Sequence, residues 1–328
     1  MKREEVIVVT GASAGLARAA AVELARSGAR VALLARGRAG LEAAAREVEQ
    51  AGGQALVIPM DVADPEQVEA AADRVEARWG PIDVWINGAM VTVYSPVQAL
   101  TPAEIRRVTE VTYLGAVHGT LAALARMRPR DRGAIVQVGS ALAYRSIPLQ
   151  SAYCGAKHAL RGFTNSLRSE LIHDGSRVRL VMVQLAGFNT PQFQWGRAHV
   201  PKHPRPLPPW YQPEVAARGI AWAARHPRRR ELWVGYPAVK AILGERLAPW
   251  LGDRILAREA YEGQMTDQDV APDRPDNLYA PAEGDYGTHG PFDDRARTRS
   301  LQLWAATHRG AVLGALGAAA LLALLMLL

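Results

Sequence analysis

Short apolar runs recur along the chain, separated by longer stretches in which apolar residues return every three or four positions. The runs fall at 6–10, 30–35, 55–60, 82–87, 134–139, 178–184 and 232–235. Their length and their Val, Ile and Leu content suit strands buried on both faces. The stretches at 16–27, 40–51, 65–79, 102–127, 152–173 and 213–225 carry helical spacing. Strand and helix therefore alternate. That pattern predicts an α/β fold, a doubly wound parallel sheet of seven strands in a single domain.

Two stretches break the rhythm. Residues 188–212 hold Pro191, Pro201, Pro204, Pro206, Pro208 and Pro209 together with Phe193, Trp195, Trp210 and Tyr211. They read as a long apolar-lined loop near the open end of the sheet, suited to substrate contacts; the alternative is a stiff surface loop. Residues 262–300 are rich in Asp, Pro and Gly and read as a linking tail. The expected division is a catalytic domain at 1–261, a linker at 262–309 and an apolar terminal helix at 310–328.

That last segment has no charged or polar side chain. As a helix it would measure roughly 28 Å, close to the hydrocarbon thickness of a bilayer. Arg295, Arg297, Arg299 and Arg309 precede it. The expectation is a transmembrane anchor at the C-terminus with the catalytic domain cytoplasmic; the alternative is an apolar helix packed on protein. The first strand begins at Val6, which leaves no room before it for a secretory signal peptide.

Composition narrows the field further. The chain has 328 residues, 49 % hydrophobic content and a formal charge of +7. Its single cysteine, Cys154, allows no internal disulfide, and no spacing suggests a metal site. Arginines cluster at 126–132 and 225–230, but no aromatic-basic motif accompanies them, so nucleic acid is not an expected partner.

The chemistry is concentrated in a few positions. Thr10, Gly11, Ser13, Ala14, Gly15 and Leu16 follow the first strand and open a helix. Glycine there permits a tight turn and close backbone approach to phosphate, and a helix N-terminus favours negative charge. The second strand ends in Ala35-Arg36, with no acid before Glu42. An arginine suits a 2′-phosphate, so NADP(H) is expected in preference to NAD(H). Arg38 is a possible second contact. Asp61 and Val62, after the third strand, are placed for the adenine; Asn87, Gly88 and Ala89, after the fourth, are placed for the ribose.

Tyr153 and Lys157 stand one helical turn apart, thirteen residues after Ser140. A nearby ammonium favours the phenolate and brings a tyrosine towards the range of general acid/base work. A serine at a strand end can hold and polarise a substrate oxygen. Together these predict hydride transfer between a nicotinamide and a carbonyl or alcohol, with Tyr153 moving the proton and Lys157 also binding the nicotinamide ribose. Cys154 and His158 turn away from that helical face.

With these motifs the chain resembles the short-chain dehydrogenase/reductase (SDR) family over about 6–235. The resemblance implies a Rossmann fold, NAD(P) as cofactor, and a homodimer or homotetramer assembled through the helices at 102–127 and 152–173. It also places Gly187 and Thr190 near the nicotinamide amide. Thr112 stands where the family commonly has a catalytic asparagine, thought to anchor a water in a proton relay. The apolar tail and the Trp/Phe-bearing loop favour a hydrophobic substrate. A nucleotide-binding scaffold or redox sensor with little turnover is the competing reading.

Overall fold

The computed structural model describes residues 4–271, 274–315 and 317. Eleven strands are described: β1 (Val6–Thr10), β2 (Arg30–Ala35), β3 (Gln54–Pro59), β4 (Val84–Asn87), β5 (Val93–Tyr94), β6 (Ala134–Val138), β7 (Arg179–Leu185), β8 (Arg197–Ala198), β9 (Lys202–Pro204), β10 (Glu231–Val234) and β11 (Met265–Asp269). Seven of them form one sheet in the order β10-β7-β6-β4-β1-β2-β3, and every pairing in it is parallel. The doubly wound sheet is as expected.

Its strands are apolar on both faces because helices cover both. Along β1, Ile7 and Val9 pack into one core cluster while Val6 and Val8 pack into the other. The chain winds outward from β1 to β3, then returns to β4 and winds the other way. The strand order therefore reverses between β1 and β4, where the crevice at the strand C-terminal ends opens.

Helix starts follow local chemistry. Pro65–Trp79 begins with a proline at N1, and the Asp64 side chain accepts from the amides of Glu66 and Gln67. Pro102–Thr109 begins with a Thr101/Glu104 capping box. The stretch expected as one helix over 102–127 is interrupted by a π-turn at Glu110–Leu114 before Gly115–Met127 resumes. Two contacts fix this turn. The Thr112 hydroxyl both donates to the Val91 carbonyl (2.9 Å) and accepts from its amide (3.1 Å), and Gly115 passes so close to Val62 that a Cβ would collide with it.

After β10 come two helices that periodicity did not single out, Tyr236–Leu247 and Pro249–Gly263. They stand beside the 188–212 loop, and β9 of that loop pairs antiparallel with β11.

The segment expected as a linker runs back over the globule instead of away from it. Leu278 is fully buried, the Gly287 carbonyl accepts from the Gly15 amide at 3.0 Å, and Arg297 bridges to Tyr211. The short helix Leu301–Thr307 packs at the β10 edge, where Gln302 bonds Trp233 and Gly235. Most of the anchor expected at 310–328 lies outside the described residues. Among the described residues no helix is long and apolar enough to cross a membrane.

Candidate active site

A cavity of about 870 Å³ opens at the C-terminal ends of the central strands. Its wall includes every nominated cofactor position except Thr10 and Asn87, and it includes Ser140 as well.

The glycine turn is built as its sequence predicts. Gly11 (φ +75°) and Gly15 (φ +58°) both occupy the left-handed region. A Cβ on Gly11 would lie 2.7 Å from the Ala89 Cα, so this turn can pass beside the β4 turn only as glycine. Thr10 binds these two turns together. Its hydroxyl donates to the Ile86 carbonyl and accepts from the amides of Gly88 and Ala89. With that hydroxyl engaged and only 2 % exposed, Thr10 shapes the pocket and does not face it.

Asn87 requires the same correction. It is 3 % exposed and its amide is spent inside the core. Oδ1 accepts from Trp85 Nε1 at 2.8 Å, and Nδ2 donates to Thr120 (3.1 Å) and Gln137 (3.0 Å). The wall beside the expected ribose position is Gly88 and Ala89.

Arg36 and Asp61 do line the cavity, but each has a protein partner. Arg36 donates to three consecutive backbone carbonyls, of Asn277 (2.5 Å), Leu278 (3.3 Å) and Tyr279 (3.0 Å). Burial lowers its pKa, Asp61 opposes that, and Arg107 adds to it. Asp61 pairs with Arg107 at 2.5 Å and accepts from the Ala63 amide at 3.0 Å. Arg38 faces solvent and lies 3.5 Å from Glu42.

The acid/base candidates converge from two elements. Ser140 follows β6; Tyr153 and Lys157 rise from the helix Ser151–His173. The serine hydroxyl stands near the Tyr153 phenol, whose pKa it lowers, and accepts from the Leu142 amide at 3.1 Å. Lys157 is 4 % exposed. It donates to the Val138 carbonyl at 2.8 Å and stands 5.5 Å from the centroid of the Tyr153 ring.

The electrostatics differ from expectation. Burial pushes the Tyr153 phenol above its ordinary range, and the nearby Ser140 hydroxyl only partly opposes this. Burial also draws the Lys157 ammonium down to about 8. The protein alone thus keeps the phenol protonated, ready to donate, and does not hold it as a phenolate.

Thr112 does not line the cavity. Its fully buried hydroxyl is committed to both polar groups of the Val91 peptide, so its side chain positions the π-turn and is not free to act on a proton. Gly187 and Thr190 border the cavity. Thr190 is 5 % exposed, with its methyl 3.6 Å from an ideal Cβ on Gly15. Cys154 is buried, and His158 is exposed with Nδ1 2.9 Å from the Cys154 carbonyl.

Beyond Tyr153 the cavity wall is mixed, with Arg145, Gln150, Lys240, Glu245 and Glu259 beside a group of apolar side chains. The 188–212 loop contributes Phe193, Trp195 and Leu207, and the opposite wall carries Leu251 and Ile255 from Pro249–Gly263. These last two were missed, although Leu251 and Ile255 are one helical turn apart behind an N-terminal proline. Arg107 and the cavity-lining part of the tail were missed as well.

A model of the short chain dehydrogenase family matches residues 5–199. An uncharacterized oxidoreductase, YxnA, of Bacillus subtilis is 30 % identical over 279 residues, which cover 84 % of this chain and 78 % of the relative. Dehydrogenase/reductase SDR family member 7 of Homo sapiens is 38 % identical over 170 residues, 51 % of this chain and 50 % of the relative. An alcohol dehydrogenase from the archaeon Thermococcus sibiricus, solved by X-ray with 5-hydroxy-NADP, aligns with a TM-score of 0.61 and 27 % identity, covering 70 % of this chain and 96 % of that one.

Proposed function

The chain belongs to the short-chain dehydrogenase family of oxidoreductases, and from that premise we propose that it moves a hydride between NADP(H) and an apolar carbonyl or alcohol, with Tyr153 as the general acid/base. The observation that carries the reading is the convergence of Ser140, Tyr153 and Lys157 on one cavity with the glycine turn.

The residues present fit a dinucleotide. Gly11 and Gly15 both line the cavity beside the start of a helix, which suits a pyrophosphate against backbone. Arg36 at the end of β2, with no carboxylate in its place, supports a 2′-phosphate. The alcohol dehydrogenase relative, complexed with an NADP derivative, supports the same choice. Gly187 and Thr190 are placed to meet the carboxamide end. A bound nicotinamide supplies or accepts the hydride.

In the reductive direction Ser140 holds the substrate oxygen by its hydroxyl, and Tyr153 Oη donates the proton to that oxygen. Lys157, cationic at neutral pH, stabilises negative charge left on the phenol oxygen. In the oxidative direction the same phenol oxygen takes the proton back. The apolar wall of Phe193, Trp195, Leu207, Leu251 and Ile255 supports a hydrophobic substrate.

Two further parts of the reading concern setting. Leu121 and Ile172 are large exposed apolar groups on the helices Gly115–Met127 and Ser151–His173, which supports pairing of copies through those helices. The uncharged run at 310–328 behind Arg309 supports a membrane tether that leaves the catalytic domain in the cytoplasm. Detergent dependence of the full chain, against a chain ending at Ser300, tests the tether.

Titration of the full chain with NADPH and NADH, followed by turnover with medium-chain aldehydes and with small polar carbonyls, tests the function. Tighter NADPH binding and turnover of the aldehydes are expected. Absence of binding by either nucleotide overturns the enzyme reading, and turnover restricted to small polar carbonyls overturns the substrate class.

A further inference from the structure

Part of the cavity wall comes from the tail, far beyond the segment matched by the family. Gly15, Arg36, Asp61 and Val62 border the cavity on the sheet side. Asn277, Pro281, Ala282, Gly284 and Tyr286 border it on the other, more than seventy residues beyond the matched segment. Resting on the function proposed above, we infer that residues 276–287 form a strap that closes over the adenosine and pyrophosphate end of the nucleotide, completes its site and opens to let it in and out.

The strap is fastened at both ends, and two of its fastenings, Arg36 and Gly15, are groups nominated for the cofactor. At the near end Asp276 pairs with Arg197 at 2.8 Å. Arg36 gathers the carbonyls of Asn277, Leu278 and Tyr279, and Arg107 Nε donates to the Leu278 carbonyl at 3.1 Å while its Nη2 holds Asp61. The Leu278 side chain is fully buried in the core cluster that contains Val62 and Val111. At the far end Asp285 pairs with Arg18, a guanidinium only 2 % exposed that also binds Glu47. One residue pair on, the Gly287 carbonyl accepts from Gly15, the first residue of the phosphate-side helix. Between the fastenings the Tyr286 ring stands edge-on to Trp195, with centroids 4.6 Å apart, which joins the strap to the substrate loop.

This layout has a chemical consequence. A nucleotide lying between Val62 and Pro281 is covered on both sides, so its departure requires the fastenings to break. Arg36 then serves two roles, as the cation near a 2′-phosphate and as the clasp of the strap. Cofactor exchange becomes a gated step set by the strap.

A reversible lock tests this. An ideal Cβ on Gly37 lies 3.4 Å from the Pro281 Cβ, close to the range of about 3.5–4.5 Å found in disulfides, and the native Cys154 is buried. In the full chain carrying Gly37→Cys and Pro281→Cys, the comparison is between the oxidised protein and the same protein reduced, so any effect of the two substitutions on NADPH affinity cancels. Oxidised before NADPH is added, it should bind at least ~10-fold more slowly; oxidised after loading, it should keep the nucleotide through desalting until dithiothreitol is added. Equal exchange rates for the oxidised and reduced protein overturn the strap while leaving the enzyme reading intact. If wild type binds neither NADPH nor NADH, the enzyme reading falls and the strap with it. A second variant needs no crosslink: Asp285→Asn removes the clasp at Arg18 and should speed NADPH dissociation about fivefold. An unchanged dissociation rate in that variant counts against the strap.

Discussion

Lys157 is asked to carry charge where the fold least favours it, and replacing it with methionine should expose that cost. The side chain is 4 % exposed. Burial brings its ammonium from 10.5 down to about 8. At 1.36 kcal/mol for each tenfold change, keeping it charged in the native state at pH 7 costs on the order of 3 kcal/mol. Methionine matches its length and has no charge to desolvate. The lost charge-assisted bond to the Val138 carbonyl returns about 1.5–3 kcal/mol. Lys157→Met should therefore stabilise the nucleotide-free chain by up to roughly 1 kcal/mol at pH 7 while abolishing turnover. The pH dependence fixes the sign. The folded pKa lies below the unfolded one, so between about pH 8 and pH 10.5 the unfolded chain binds more protons and wild type gains stability as pH rises. The methionine variant lacks that gain, so its advantage should shrink from pH 7 to pH 10. Urea unfolding of both proteins at pH 7, 8.5 and 10 measures this. A variant less stable than wild type at pH 7, or a difference that does not move with pH, refutes the reasoning.

Three other substitutions separate roles within the site. Tyr153→Phe should lower aldehyde reduction by about 10²–10⁴-fold while NADPH affinity, read by fluorescence titration, changes little; near-normal turnover would remove Tyr153 from proton transfer and favour the scaffold reading. Asn87→Ala strips the buried bonds to Trp85, Thr120 and Gln137 and should cost about 2–4 kcal/mol in urea unfolding, with a much smaller effect on NADPH affinity. A large loss of affinity in a variant of normal stability would return Asn87 to the ribose. Trp195→Ala should raise KM for a medium-chain aldehyde about 10-fold and leave a small polar carbonyl nearly unaffected; equal effects on both would detach the loop from substrate selection.

The sheet and the acid/base residues were legible because their signals are local. Residues 6–9 are apolar without a gap, and burial on both faces leaves no alternation to misread. Tyr153 and Lys157 lie one turn apart on one helix, so their shared face follows from helical geometry alone. Direction of a side chain was harder. Asn87 ends its strand as expected, yet whether its amide meets ribose or core is decided by Trp85, Thr120 and Gln137, of which two come from elements far along the chain. Thr112 has the same history, since its hydroxyl is claimed by Val91 across 21 residues. Tyr153's charge state also depends on what encloses it, and burial raises its pKa.

The tail shows where such reading stops. Its Asp, Pro and Gly content resembles a solvated spacer, and by side-chain chemistry alone that description is reasonable. What holds it to the globule is largely main chain. Arg36 takes the carbonyls of Asn277, Leu278 and Tyr279, the first of these 241 residues away, and Gly15 takes that of Gly287. Every residue carries a carbonyl, so a carbonyl ligand leaves no mark in the sequence. The visible half of each contact is an arginine or a glycine whose partner is anonymous. Arg36 could be nominated for an oxygen-rich ligand from its position at the end of β2. That the protein's own backbone supplies such oxygens, at the edge of the same cavity, could be learned only from the fold.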